Sequence, residues 1–545
     1  MNYLALVNHI PDERRQELNL GMFKAYDIRT KSNRLTSAIA QRLLVATGRY
    51  IIEELKSSSV VLGRDARLAG PGLLELALEL FPAMGIGVVV NPLQSSTCQF
   101  YFACMRNPGS AGIMFTASHN PGEYIGLKLM GPGMATLAMD SGPGGGITGI
   151  LARYLEDSEP VKDGITGARA PVIVRRYLDE FIDYSLRLAG VGENSLAGVP
   201  VLADFLCGAA GTEAAEALGY SGANLHVRNL IPDGLFPAGD PNPIVAKSIQ
   251  PMRDLMRSGN FLCGFCFDGD GDRLDVMAPT GEQLAPSFNM SVLVPEIVRY
   301  FASVHAEGGF GTVSFARATG VYAPQFYADV KANPMAMVDQ ASGGVGVHII
   351  RNGHSYIKEA LRVNFRRQYL AAAEESAHYY MNFPMMLDDV SKGFAATENT
   401  LYFMLLTART WAAEPARYEA ALARQRRIVR EREWPCHFHD ESLMERVMDE
   451  VEAEFAGRGL TVMKSMEDGS SLDATLMRSG LPEVVGPHTD LEKPWYQVAQ
   501  RITRSEEGIT RWEVVSNSDT ACSEAVAAIR RLTDRYVESG QAEYL

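Results

Sequence analysis

Short apolar runs alternating with helical stretches constrain this chain more than any other feature. VVLGRD (60–65) reads as a strand and turn. GPGLLELALELFPAMG follows as a helix, and IGVVVN (86–91) as a second strand. AGIMFTASHN supplies a third strand, 111–115, running into a loop. The rhythm returns at 199–204, followed by a Gly/Ala-rich turn and the helical TEAAEALG, and again at 261–267 and 311–315. Strands that alternate with helices imply parallel sheets, so three α/β domains of similar build are expected. A length of 545 residues accommodates them and one more, at roughly 100 to 200 residues per domain. The last part differs. Residues 395–456 read as mostly helical and charged, ending in the amphipathic ESLMERVMDEVEAEF, and the remainder as short strands, loops and a final helix at 523–536. That is a fourth domain, of α+β type. The Gly/Pro-rich stretch 131–149 reads as a loop or linker after the first cluster.

Several function classes are disfavoured. The formal net charge of −14 argues against nucleic-acid binding, which needs a basic footprint. An acidic shell does not exclude a small anionic substrate, which a few arginines and lysines can hold. No run approaches the roughly 18 consecutive apolar residues of a membrane span. MNYLALVNHIPDERR has no basic region ahead of an apolar core, so no signal peptide is expected. Seven scattered cysteines suit a reduced, cytoplasmic protein. Gly144, Gly146 and Gly149 satisfy G-x-G-x-x-G, but DSGP precedes them instead of a strand, and the dinucleotide reading fails. No Gly-Lys pair occurs, so there is no Walker A loop.

Two stretches bear chemistry. In FTASHNPGEYIGLKL (115–129), Ser118 and His119 stand on a loop at a strand end, and Asn120-Pro121 forces a turn. Strand ends are where α/β proteins place their sites. In FCFDGDGDRLD (265–275), Asp268, Asp270 and Asp272 alternate with glycines. Such carboxylates repel one another unless a cation lies between them, and hard oxygen donors suit Mg²⁺. Counted from Asp268, an EF-hand would need Gly and Glu where Arg273 and Pro279 stand, so that motif is excluded. The Cys263/Cys266 pair has no second pair and reads as buried strand cysteines. A serine beside a metal loop points to phosphoryl transfer.

These stretches resemble the α-D-phosphohexomutase family, the phosphomannomutases and phosphoglucomutases. T-A-S-H-N-P stands at 116–121, D-G-D-G-D-R at 268–273, and F-[RK]-A-Y-D-I-R at 23–29. PDGLFPAGDPNPI (232–244) is similar to the family's interdomain segment, GHSYIKEAL (353–361) to G-H-x-x-I-K, and EESAHYYMNF (374–383) to the sugar-binding loop. The motifs occur in family order and span roughly residues 20 to 385.

The resemblance implies three similar α/β domains with mixed or parallel sheets plus a C-terminal α+β domain around a central cleft, at 1–165, 166–278, 279–394 and 395–545. It implies a phosphate on Ser118, and Mg²⁺ held by Ser118, Asp268, Asp270 and Asp272. Tyr26, Arg29, His119 and Lys128 would line the reaction centre, with proton transfer shared among the last three. Arg273 would position substrate and metal loop. Glu374, Ser376 and His378 would hold sugar hydroxyls, and His354 and Lys358 would contact sugar or phosphate. The reaction implied interconverts hexose 1- and 6-phosphates, mannose before glucose, through a hexose 1,6-bisphosphate. The partner is a small phosphosugar, with neither nucleic acid nor membrane, in a monomer or dimer.

The sequence departs from the family pattern in places. Ala373 replaces the usual glycine of the sugar loop, Glu375 a methionine, and Ile125 an asparagine. Ala377, with the aromatic pair after it, resembles the phosphomannomutase branch. The C-terminal phosphate loop is matched only by VVSNSDTA (514–521): Ser516, Asn517 and Ser518 align, but Val514 stands at the arginine position, so a bidentate phosphate fork is missing. The stretch 478–507 is extra. Two alternatives therefore stand beside the mutase: a phosphosugar-binding homologue without turnover, and a phosphatase or phosphotransferase using Ser118.

Overall fold

The computed structural model describes residues 3–156, 169–306, 323–502 and 508–545. The strand expected at 311–315 lies outside the described residues. The chain packs as two compact units. One comprises Met1–Gln283, His354–Val363 and Ser376–Ala413; the other comprises Leu284–Gly353, Asn364–Glu375 and Glu414–Leu545.

In the first unit, one sheet runs in the order Ile28–Lys31, Tyr124–Gly131, Ala111–Phe115, Ser59–Arg64, Gly87–Val90, Val172–Val174. The last four strands are mutually parallel, as the alternation with helices implies. The first two are antiparallel additions. The chain leaves Ala111–Phe115, turns through the serine loop, and returns as Tyr124–Gly131 with Lys128 opposite Met114. This return puts Ser118 at a strand end while folding Lys128 back beneath it. Val60, Leu62, Ile113, Phe115, Ile125 and Leu127 join helix residues such as Leu43 and Leu44 in a continuous core.

A second sheet pairs Asn224–Arg228, Pro200–Asp204 and Cys263–Phe267 in parallel, then adds Leu274–Met277 antiparallel. With Phe267 opposite Leu274, residues 268–273 form a tight hairpin connection. The strands His378–Pro384 and Phe394–Glu398 of this unit pair antiparallel. The helix Thr97–Arg106 is buried from Thr97 to Met105.

The second unit holds the parallel strands Gly346–Ile350, Gln325–Asp329 and Tyr369–Glu374. It also holds a six-stranded sheet in the order Thr461–Ser465, Ser471–Ser479, Tyr496–Ile502, Ile509–Ser516, Val429–Phe438, Ala542–Tyr544. Every pairing in that sheet is antiparallel. Helices Glu441–Gly457 and Asp519–Glu538 share its core with Trp512 and Val514. This is the α+β part expected from sequence.

Two expectations are corrected. The stretch 131–149 is no linker: Leu137 and Ile147 enter the first core, and Ile147–Leu155 is a helix. Gly133, Gly142, Gly144, Gly145 and Gly146 take positive φ; Gly146, at φ of 60°, lies so near the Ser141 carbonyl that a Cβ would sit 2.0 Å from it. Within 395–456, Val429–Phe438 is a strand. Its charged half masked the alternation of buried Trp434, Cys436 and Phe438 that places it in the sheet. Among the described residues, no helix is long and apolar enough to cross a membrane.

Candidate active site

The serine loop is cast on a buried scaffold. Thr116 Oγ1 donates to Asp65 Oδ2 (2.7 Å) and accepts from Ser118 N (2.9 Å). Arg67, which is buried, spends its whole guanidinium here: Nε donates to Asp65 (3.0 Å), Nη1 to the carbonyls of Pro121 (2.6 Å) and Tyr124 (3.0 Å), and Nη2 to those of Ser118 and Asn120 (both 2.6 Å). These bonds hold Ser118 at φ of 54°, a left-handed conformation that a non-glycine residue adopts only when its surroundings impose it. Its Oγ lies 3.2 Å from His119 Nδ1 and 3.4 Å from Asp268 Oδ2.

The acidic loop faces it. Asp268, Asp270 and Asp272 are fully buried, and each offers a carboxylate oxygen within 4.8 Å of the others. Gly269 is required, because a Cβ there would sit 2.8 Å from the Ser118 carbonyl; at that point the two loops touch backbone to backbone. Gly271 supplies the positive φ of 73°. Lys128 Nζ donates to Asp270 (2.7 Å) and to Asp272, and Thr97 Oγ1 donates to Asp270 (2.6 Å). Arg273 closes the other side, its N–H on Asp268 Oδ1 (3.1 Å) and its Nε on His378 Nε2 (3.2 Å).

Burial, then repulsion from Asp270 and Asp272, pushes the Asp268 carboxyl well above its ordinary range. Asp272 goes the other way: burial opposes its charge, but Lys128 and Arg273 hold it low. Lys128 is disfavoured by burial, yet the carboxylates outweigh that and keep it an ammonium. Among the described residues, Asp270 Oδ1 and Asp272 Oδ1 have no hydrogen-bond partner. Orphaned, fully buried carboxylate oxygens converging with hard-donor chemistry are what a small divalent cation requires, so the residues fit Mg²⁺.

The structure gathers other expected residues around this centre. Arg29 Nη1 donates to Asn120 Oδ1 (2.7 Å) and its Nη2 pairs with Asp27. Tyr26 packs edge-on against His354, ring centroids 5.2 Å apart. Burial, followed by the nearby cations, holds both His119 and His354 well below the ordinary imidazole range. His378 begins its strand with Nδ1 3.8 Å from Asp272 Oδ1 and 3.9 Å from Glu398 Oε1. Ser376 lies half-buried in the preceding turn, where Ala377 has φ of 72° and accepts a hydrogen bond from Leu274 N. That bond docks the turn beside the acidic loop.

Other expected residues have different surroundings. Lys358 is turned inward, Nζ 3.0 Å from Glu398 and donating to Tyr101 Oη at 2.8 Å. Glu374 belongs to the second unit, where it accepts from Asn352 Nδ2 (3.0 Å) and Gly353 N (3.2 Å). Ser516 Oγ donates to the Trp495 carbonyl (2.8 Å), Asn517 ties down Leu491, Lys493 and Trp495, and Ser518 caps the last helix. Val514 points into the core, where a guanidinium would have no phosphate to meet. The unusual Glu375 is matched by Arg430 (3.2 Å), which also grips Glu513 (2.8 Å).

The model of the phosphoglucomutase/phosphomannomutase alpha/beta/alpha domain I matches residues 21–140, and that of domain II matches residues 175–281. A phosphomannomutase of Salmonella montevideo is 32% identical over 372 residues, covering 66% of this chain and 73% of that protein. The chain belongs to the phosphoglucomutase/phosphomannomutase family. A Neisseria meningitidis phosphoglucomutase is 27% identical, over 66% of this chain and 70% of its own length. In fold, the chain is similar to a Burkholderia thailandensis protein of the family, with a TM-score of 0.70 at 20% identity, over 96% of this chain and 99% of that one. It is thus an intramolecular phosphotransferase, a hexose-phosphate mutase.

For this mutase, sequence reading missed Asp65, Arg67, Thr97, Tyr101 and Glu398. GRDAR (63–67) ends an apolar strand with an acid between two bases, and charged groups carried into a buried position need such a partner. Thr97 and Tyr101 sit in TCQFYFACMR and gave none; their partners are over a hundred residues away.

Proposed function

We propose that Ser118 is the phosphoryl carrier in the interconversion of hexose 1-phosphate and hexose 6-phosphate, with mannose the preferred sugar and glucose the second. The observation that supports this most is Ser118 Oγ held between His119 and Asp268, with the orphaned carboxylate oxygens beside it. The phosphoserine loses its phosphoryl group to the free hydroxyl of a hexose monophosphate, giving a hexose 1,6-bisphosphate and a serine hydroxyl. The sugar turns, and the opposite phosphate returns to Ser118.

Neutral His119 is placed to take up a proton, from the attacking sugar hydroxyl in one direction and from Ser118 Oγ in the other, and the imidazolium so formed returns it to the departing oxygen. Lys128, paired through its ammonium with Asp270 and Asp272, sets a positive charge beside the reaction centre. Arg29 acts likewise as a cation. Asp268, Asp270, Asp272 and Ser118 would hold Mg²⁺, whose chemistry is to neutralise phosphate charge. Ser376 and His378 are assigned to sugar hydroxyls, with Tyr26, His354 and Arg273 lining the same place. Lys358 supports them from behind through Glu398. We read the chain as four modules, at 1–165, 166–278, 279–394 and 395–545.

Mannose is placed first on Ala377 with its aromatic neighbours and on the phosphomannomutase relative. A coupled assay with Mg²⁺ and a trace of hexose 1,6-bisphosphate, run on mannose and glucose 1-phosphates, tests the reading. Conversion to 6-phosphate, faster for mannose and lost in Ser118→Ala, is expected. Release of inorganic phosphate without isomerisation would overturn it.

A further inference from the structure

Far along the chain from this chemistry, the second unit brings two imidazoles and a carboxylate together. His437 and His439 follow one another at i and i+2, one on the strand Val429–Phe438 and one just past its end. Alternation directs them away from the core that Cys436 and Phe438 enter. Across the ladder, Glu543 on Ala542–Tyr544 stands directly opposite His437, and His439 N donates to the Gln541 carbonyl. The His437 and His439 rings approach to 5.4 Å between centroids at 67°. One ligand atom from each of the three residues falls within 4.8 Å of the others.

His437 Nδ1 and Glu543 Oε1 are 3.2 Å apart. An imidazole lone pair and a carboxylate oxygen at that distance repel unless a proton or a metal ion lies between them. Ligands held at about 2.0–2.2 Å in a tetrahedron are separated by roughly 3.3–3.6 Å, and the observed spacing lies near the short end of one edge of such a site.

We propose that His437, His439 and Glu543 form a site for a borderline transition-metal ion, zinc being the class representative, which clips the strand Ala542–Tyr544 to Val429–Phe438. The donor set separates it from the acidic loop of the first unit: two nitrogens and one oxygen favour zinc, cobalt or nickel, whereas three carboxylates favour magnesium. Three protein ligands leave a fourth position for water. The ion holds together two strands that are about a hundred residues apart in sequence, so its effect is on stability and not on turnover.

The test is titration of the full chain with ZnCl₂ and CoCl₂ in excess Mg²⁺, which occupies the acidic loop. One zinc per chain is expected, with a rise in the melting temperature. Cobalt is expected to give the visible absorption of a low-symmetry four- or five-coordinate ion. His439→Ala and Glu543→Gln are expected to weaken zinc binding at least about tenfold and to abolish the melting shift, while Mg²⁺-dependent mutase activity and far-UV circular dichroism stay as in the parent. Zinc binding that is absent from the parent, or unchanged in His437→Ala/His439→Ala, would overturn the proposal.

Discussion

Replacing Arg67 with lysine tests how the serine loop is held. The guanidinium makes five hydrogen bonds, one to Asp65 and four to carbonyls of residues 118–124. Lysine keeps the charge that Asp65 needs but has three donors on one atom. At least two carbonyls are left unsatisfied in a dry site, at about 1–3 kcal/mol each, so a stability loss of roughly 2–6 kcal/mol is expected. Ser118 then loses support for its left-handed conformation. A displacement of the order of 1 Å costs about 100-fold in rate. The assay is kcat and KM for hexose 1-phosphate, with inorganic phosphate followed in parallel. In Arg67→Lys, kcat is expected to fall about 100-fold, KM to change little, and the phosphoserine to hydrolyse faster relative to transfer. A general packing defect would lower the amount of folded enzyme without altering that ratio. Parental kcat and an unchanged ratio in Arg67→Lys would refute the reasoning.

Lys128→Met removes the ammonium that shares Asp270 and Asp272; isothermal titration should find Mg²⁺ bound more tightly while kcat falls by orders of magnitude, and weaker Mg²⁺ binding would contradict the arrangement. Glu213 is a buried carboxyl that accepts from Gln99 (3.0 Å) and is raised by burial to about 7 from an ordinary 4.5. Its folded state holds the proton more tightly than the unfolded chain, so the stability it confers is complete below the unfolded value and is lost as pH rises toward 7. The loss is on the order of 3 kcal/mol, at about 1.4 kcal/mol per unit. Denaturant midpoints from pH 5 to 8 should therefore fall less steeply for Glu213→Gln than for the parent; identical slopes would refute the assignment.

The parts of this site legible in sequence were those whose chemistry is local. The glycine-spaced aspartates and the Ser-His-Asn-Pro turn declare themselves within six residues, and the strands feeding them are apolar enough to read directly. What local pattern leaves hidden depends on contacts distant in sequence, and for Lys128 and Glu374 only the family resemblance pointed to the site. Lys128 reads as an ordinary strand lysine until the antiparallel return lays it under Asp270 and Asp272, from another sheet. Glu374, beside Glu375 after an alanine run, reads as a helix end by default; it closes a buried strand, because small residues pack a parallel sheet as well as a helix. The strand Val429–Phe438 was masked by RERE at its exposed half. Val514 shows the converse: the match by residue order set it at the motif's arginine position, and it is a buried sheet position in the core.

The central claim is that the phosphoryl group passes through Ser118. It is tested most directly by incubating the protein with hexose 1,6-bisphosphate labelled in phosphate, locating the label by peptide mass analysis, and chasing with unlabelled hexose 1-phosphate. One phosphate per chain is expected on Ser118, and the chase returns it to sugar. Label on another residue, or label released as inorganic phosphate in the chase, would contradict it.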